Sequence, residues 1–157
     1  MNDHALVDAL AQYRAGLDAE IALLEQLALV AARQRGVTAR RDFEQLGIEG
    51  DERDRLTRAL VAVEEGLQPV RARLSAARDR VATLGAYQDV VALRQQASAL
   101  VARILATDQE SMQSLADAEL ARRAAVASLE QGETTLAAYR RVLTPSISQA
   151  SLVDRRG

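Results

Sequence analysis

Apolar side chains recur from Leu56 to Leu84 at alternating four- and three-residue steps: Leu56, Leu60, Val63, Leu67, Val70, Leu74, Ala77, Val81 and Leu84. Such spacing puts every one of them on one face of a helix. A strand would need alternation at every second residue, so this run commits the segment to a long amphipathic helix that needs helical partners. The helix is expected to start near Asp51, with Glu52 favourably placed in the first turn. The run passes through Gly66 and Pro69. A proline inside a helix removes one N–H and clashes with a preceding carbonyl, at a cost of roughly 3 kcal/mol. Because the apolar phase is unbroken across it, a kinked but continuous helix is expected.

The same step appears earlier, in a first helix from about His4 to Gln34, with Asn2 or Asp3 as its cap. Leu6, Leu10, Tyr13, Leu17, Leu24, Leu27 and Ala31 form its stripe. One step falls on Glu20, with Ile21 beside it. Gly36 is expected to end this helix. Residues 36–50 read as a connector with a short helix over Ala39–Leu46, capped by Thr38 and fastened to the bundle by Phe43, Leu46 and Ile48. Leu84-Gly85-Ala86-Tyr87 reads as the next turn, and a third helix starts near Gln88. Its first half carries a firm stripe of Val90, Leu93, Ala97, Leu100 and Ile104. Beyond that the stripe thins, because Asp108, Glu119 and Arg122 stand where apolar side chains are wanted.

The fold class expected is all-α: an antiparallel bundle of three long helices with a short connector helix and a flexible C-terminal tail. Leu17, Leu24, Leu60, Val63, Leu67, Leu74, Leu93, Leu100 and Ile104 are the expected core. The composition agrees, since 31 Ala and 22 Leu fill about a third of 157 residues, with two Pro and no Cys. One bundle domain over residues 1–142 is expected. Pro145, the serines and the four arginines between Arg140 and Gly157 read as a mobile basic tail over 143–157. The start has no basic region followed by a long apolar run, and no stretch suits a bilayer span, so a cytoplasmic protein is expected. A formal net charge of -2 gives no reason to expect nucleic acid as a partner.

Catalytic chemistry is hard to place. The single histidine, His4, lies in the first helical turn and reads as a solvated residue. No Glu-x-x-His pair, Gly-rich phosphate loop or nucleophile elbow is present. The carboxylate pairs Asp51-Glu52 and Glu64-Glu65 read as solvated helix faces. No enzyme, cofactor or metal is expected. An interaction protein remains. The thin stripe after Ile104 marks Met112, Leu115, Ala118, Val126 and Leu129 as an exposed or partly exposed apolar face for a client helix. Ordinary packing against the first two helices is the competing reading.

Four stretches carry a resemblance to a known family: Leu17 to Leu27; Arg41-Asp42-Phe43-Glu44-Gln45-Leu46; Ile104 to Met112; and the end. The end has Leu136-Ala137-Ala138-Tyr139, a Pro/Ser-rich segment and Ser151-Leu152-Val153-Asp154-Arg155-Arg156-Gly157. The chain resembles the FlgN-type flagellar export chaperones. That resemblance implies a cytoplasmic chaperone that binds the C-terminal helices of hook–filament junction proteins, FlgK and FlgL, and delivers them to the type III export gate. It implies neither catalysis nor a cofactor. It also implies that Tyr139 docks on the gate component FlhA. The alternative is a coiled-coil adaptor or homodimerising bundle with no export role.

Overall fold

The structure is a computed structural model. It describes the backbone of residues 2–154 and the side chains of residues 2–138. Among the described residues there is helix and turn but no strand. The helices are α1 (Asp3–Ala39), α2 (Phe43–Ala76), α3 (Arg78–Val81) and α4 (Tyr87–Asp154). The chain divides into two compact units, residues 1–114 and 115–157. The first holds α1, α2, α3 and the start of α4. The second is made of the remainder of α4.

The first unit is a three-helix bundle whose directions can be read from cross-helix polar contacts. Gln12 pairs with Arg73 and Gln34 with Arg53, so α1 and α2 run antiparallel. Arg14 meets Asp89 at 3.1 Å and Arg35 meets Glu110 at 3.0 Å, so α1 and α4 run parallel at an offset of 75 residues. The core forms two clusters along the axis. Leu6, Ala9, Leu10, Tyr13 and Leu17 pack with Leu67, Val70, Leu74, Val81 and Val90. Leu24, Leu27, Ala28, Val30 and Ala31 pack with Leu56 and Ile104. Of the expected core, Leu17, Leu24, Leu67, Leu74 and Ile104 are buried, while Leu60, Val63, Leu93 and Leu100 are half-buried against the clusters. Gly16 lets α2 approach. A Cβ there would lie 2.2 Å from a methyl of Leu67, so Leu67 occupies the space a larger residue would need.

The connections differ from the sequence reading. α1 does not stop at Gly36 but continues to Ala39, and no separate helix spans residues 39–46. Thr38 is therefore no N-cap; it is buried in the last turn of α1. The link is three residues, Arg40 to Asp42. The Arg41 N–H donates to the Thr38 carbonyl and the Asp42 N–H to the Val37 carbonyl, both at 3.0 Å. These two bonds make a Schellman motif, with Arg41 at φ 57° in the left-handed place that glycine usually takes. Asp42 then caps α2, its Oδ1 accepting from the Gln45 N–H at 3.1 Å. Gly47 and Gly50 are helical, and Phe43 and Ile48 are exposed rather than fastened to the bundle. The short connector helix is α3, between the second and third long helices. α2 is continuous through Pro69. The extent of α4 includes Pro145, where the sequence reading ends the helix and begins a tail. The side chains of Tyr139 and of the expected tail, 143–157, lie outside the described ones.

Candidate functional site

Helix periodicity predicts an apolar residue at position 20, and Glu20 occupies it. Its side chain is only 8% exposed, between the two core clusters. One carboxylate oxygen, Oε1, is buried with no hydrogen-bond partner of its own among the described residues. Burial disfavours the charged form, and the neighbouring Glu64 carboxylate adds a shared hydrogen bond and a repulsive charge. Together these push the Glu20 carboxyl up to about 7, against a lesser opposing pull from Arg71. Glu64 moves the other way, held below the usual carboxylate range by Arg71, whose guanidinium lies 2.6 Å from it. Arg71 also stacks over the Tyr13 ring at 5.8 Å from its centroid. The expectation that Glu64 belongs to a solvated face is thus corrected: it is half-buried and belongs to a four-residue polar cluster crossing α1 and α2.

This cluster borders a groove of about 750 Å³ in the first unit. Glu20 and Leu24 of α1, both buried, form its floor. Leu60, Val61, Glu64 and Glu65 of α2 line one wall; Ala97, Val101 and Leu105 of α4 line the other. Val61, Val101 and Leu105 are 50%, 43% and 62% exposed. Three large apolar side chains facing water in one acidic-edged groove make a surface suited to another apolar element. Periodicity missed the groove because Val61, Val101 and Leu105 lie off the stripes. The only signal in the sequence was Glu20 in a core step.

The residues expected to receive a client lie elsewhere, at the end of the first unit and in the second. Met112 and Leu129 are 64% and 70% exposed; Leu115 and Val126 are moderately exposed, and Ala118 is half-buried. At about 100° per residue the four in the second unit, Leu115, Ala118, Val126 and Leu129, fall within one third of the helix circumference. Glu119 sits within that arc, paired with Arg122 at 2.9 Å and Arg123 at 3.0 Å. Leu136, 56% exposed, falls on the same arc and belongs with the set. No family model, curated protein or solved structure matches this chain.

Asp108 has a different explanation from a thinning stripe. Arg53 forks onto it, with Nη1 to Oδ1 at 2.7 Å and Nη2 to Oδ2 at 2.6 Å, and Arg53 also donates to Gln34 at 2.8 Å. Asp108 is thus a polar tie between α4, α2 and α1. His4 is exposed and lies 3.5 Å from Asp8. Among the described residues, no group of three or more His, Cys, Asp or Glu is arranged to hold a metal ion. No helix there is long and apolar enough to cross a membrane.

Proposed function

We propose that this chain is an export chaperone of the FlgN type. It binds helices of hook–filament junction proteins, FlgK-like or FlgL-like, in the cytoplasm and delivers them to the flagellar export gate. The observation that carries the reading is the exposed apolar arc of the second unit at Leu115, Val126 and Leu129, with Ala118 half-buried between them; Met112, exposed at the end of the first unit, is assigned to the same client. An aliphatic face left in water on a helix gains most from an amphipathic client helix laid along it. The resemblance of the N-terminal helix and of the C-terminal end to that family supports the choice of client. On this reading Tyr139 is the residue that engages FlhA, and no catalytic step or cofactor takes part.

The deciding experiment mixes the purified full chain with each junction protein and follows complex formation by light scattering. Stoichiometric binding that falls at least tenfold in Leu115→Asp and Leu129→Asp is the expected result. Full binding by both variants overturns the assignment of the site. Tyr139→Ala is expected to retain client binding while lowering delivery of the junction subunits. The same exposed arc also suits a second copy of this chain, which is the adaptor reading. A constitutive dimer that both aspartate variants convert to monomer, with no junction protein bound, favours the adaptor instead.

A further inference from the structure

The groove between α2 and α4 is lined by residues other than those assigned to the client, and it holds a buried carboxylate oxygen, Glu20 Oε1, that finds no donor of its own among the described residues. A buried carboxylate oxygen without a partner is costly, and a donor brought to it from outside recovers that cost. We propose that this groove binds a partner protein's amphipathic helix that carries one Arg or Lys within its apolar stripe, the cation reaching Glu20 and the flanking aliphatic side chains covering Val61, Val101 and Leu105.

Charge complementarity fixes the chemistry of the occupant. Glu64 and Arg71 of α2 act on Glu20, Glu64 and Glu65 line the groove with it, and Tyr13 of α1 lies under Arg71. The part of α4 that lines the groove, Ala97, Ser98, Val101, Ala102 and Leu105, brings no titratable group. Arg71 is the one cation in that set, and it is held by Glu64 at 2.6 Å. The groove therefore presents net negative charge beneath an apolar rim. An all-apolar helix would leave Oε1 unpaired beneath it, and an acidic helix would be repelled. A cation seated against Glu20 favours its carboxylate form, so docking releases a proton over the range where Glu20 is otherwise protonated. Binding should accordingly strengthen as pH rises from 5.5 to 8.5.

The test selects helical peptides from a displayed library with a randomised apolar stripe, using the full chain as bait. Chosen peptides are then measured by fluorescence anisotropy at pH 5.5, 7 and 8.5. The expected result is enrichment of Arg or Lys within the stripe. Binding should be about tenfold tighter at pH 8.5 than at 5.5 and weakened at least tenfold by Leu105→Asp. Glu20→Gln, which keeps the side-chain shape, should remove both the basic preference and the pH dependence. Circular dichroism checks that each variant is folded, and the exposed Leu105 site keeps the test valid should Glu20→Gln unfold. Selected peptides without a basic residue, no selected peptide sensitive to Leu105→Asp, or a basic preference that survives in folded Glu20→Gln overturns the proposal. So does a dimer dissociated by Leu105→Asp, which would make the occupant a second copy. So does peptide binding that appears only after residues 143–157 are deleted, which would make the occupant the chain's own C-terminal segment. Junction-protein binding is measured in parallel: Leu105→Asp should leave it unchanged, which separates failure here from failure of the client site.

Discussion

Arg41 holds φ at 57°, the conformation that costs a side-chain-bearing residue roughly 1–2 kcal/mol, and it holds it because the two Schellman hydrogen bonds require it. Arg41→Gly is expected to stabilise the protein by about 1 kcal/mol, seen as a higher urea midpoint at unchanged slope. Glu20 stores a different cost. Its carboxyl titrates near 7 when folded and near 4.5 when unfolded, so the folded state binds more protons between those values. Stability from this group is fully present below pH 4.5 and is lost as pH rises through about 7. Glu64 has the opposite sign: Arg71 lowers it, so its contribution is present above pH 4.5 and is lost on acidification through its folded value. Glu20→Gln should remove the decline between pH 4.5 and about 7 and raise stability at pH 8 by on the order of 1 kcal/mol. Urea melts at pH 4.5, 6, 7 and 8 would show it, and a slope unchanged from wild type would contradict the assignment. Position 20 was legible as an irregularity of the stripe. Its burial and its partner Glu64 were not, because Glu20 and Glu64 are 44 residues apart and meet only when α1 and α2 pair.

At the scale of the helix, the tightest constraint is the seating of Leu67 against Gly16. Gly16→Ala would gain helix propensity in isolation, by about 1 kcal/mol. Here its Cβ would meet Leu67, itself 5% exposed, so a net destabilisation of about 1–3 kcal/mol is expected in thermal or urea unfolding. Leu56→Ala removes a side chain that is 1% exposed in the second cluster and should cost about 2–5 kcal/mol. Helix α2 shows why apolar phase outweighs local breakers. Val70 and Leu74, just beyond Pro69, are both buried, so a break at the proline would expose them and lose more than the proline costs. The same reasoning explains the connector. Val37, one residue past Gly36, is 3% exposed, and its burial carries α1 three residues beyond that glycine. Glycine was read as a stop because the burial of the residue after it is a tertiary fact.

In the first unit as a whole, Arg53 binds Asp108 of α4 and Gln34 of α1, so one side chain spans all three long helices. Both members of the ion pair are about three-quarters buried, where a forked pair is worth more than on an open surface. Asp108→Asn and Arg53→Ala should each destabilise by about 1–3 kcal/mol, and their combination should cost less than the sum. A double-mutant cycle in urea checks this; strict additivity would mean the pair is uncoupled. The sequence by itself determined that the chain is helical, that it has three long amphipathic segments and which side chains form their apolar stripes. It could do so because helix periodicity is a local property, repeated every three to four residues. Tertiary structure alone decided the rest: the 75-residue offset of α1 and α4, the burial of Glu20 beside Glu64, the pairing of Asp108 with Arg53, and the groove lined by Val61, Val101 and Leu105. Each of these depends on which residues distant in the chain are brought within contact. No repeating local pattern encodes that, because many helix registers satisfy the same stripe and only packing shape and polar pairing choose among them.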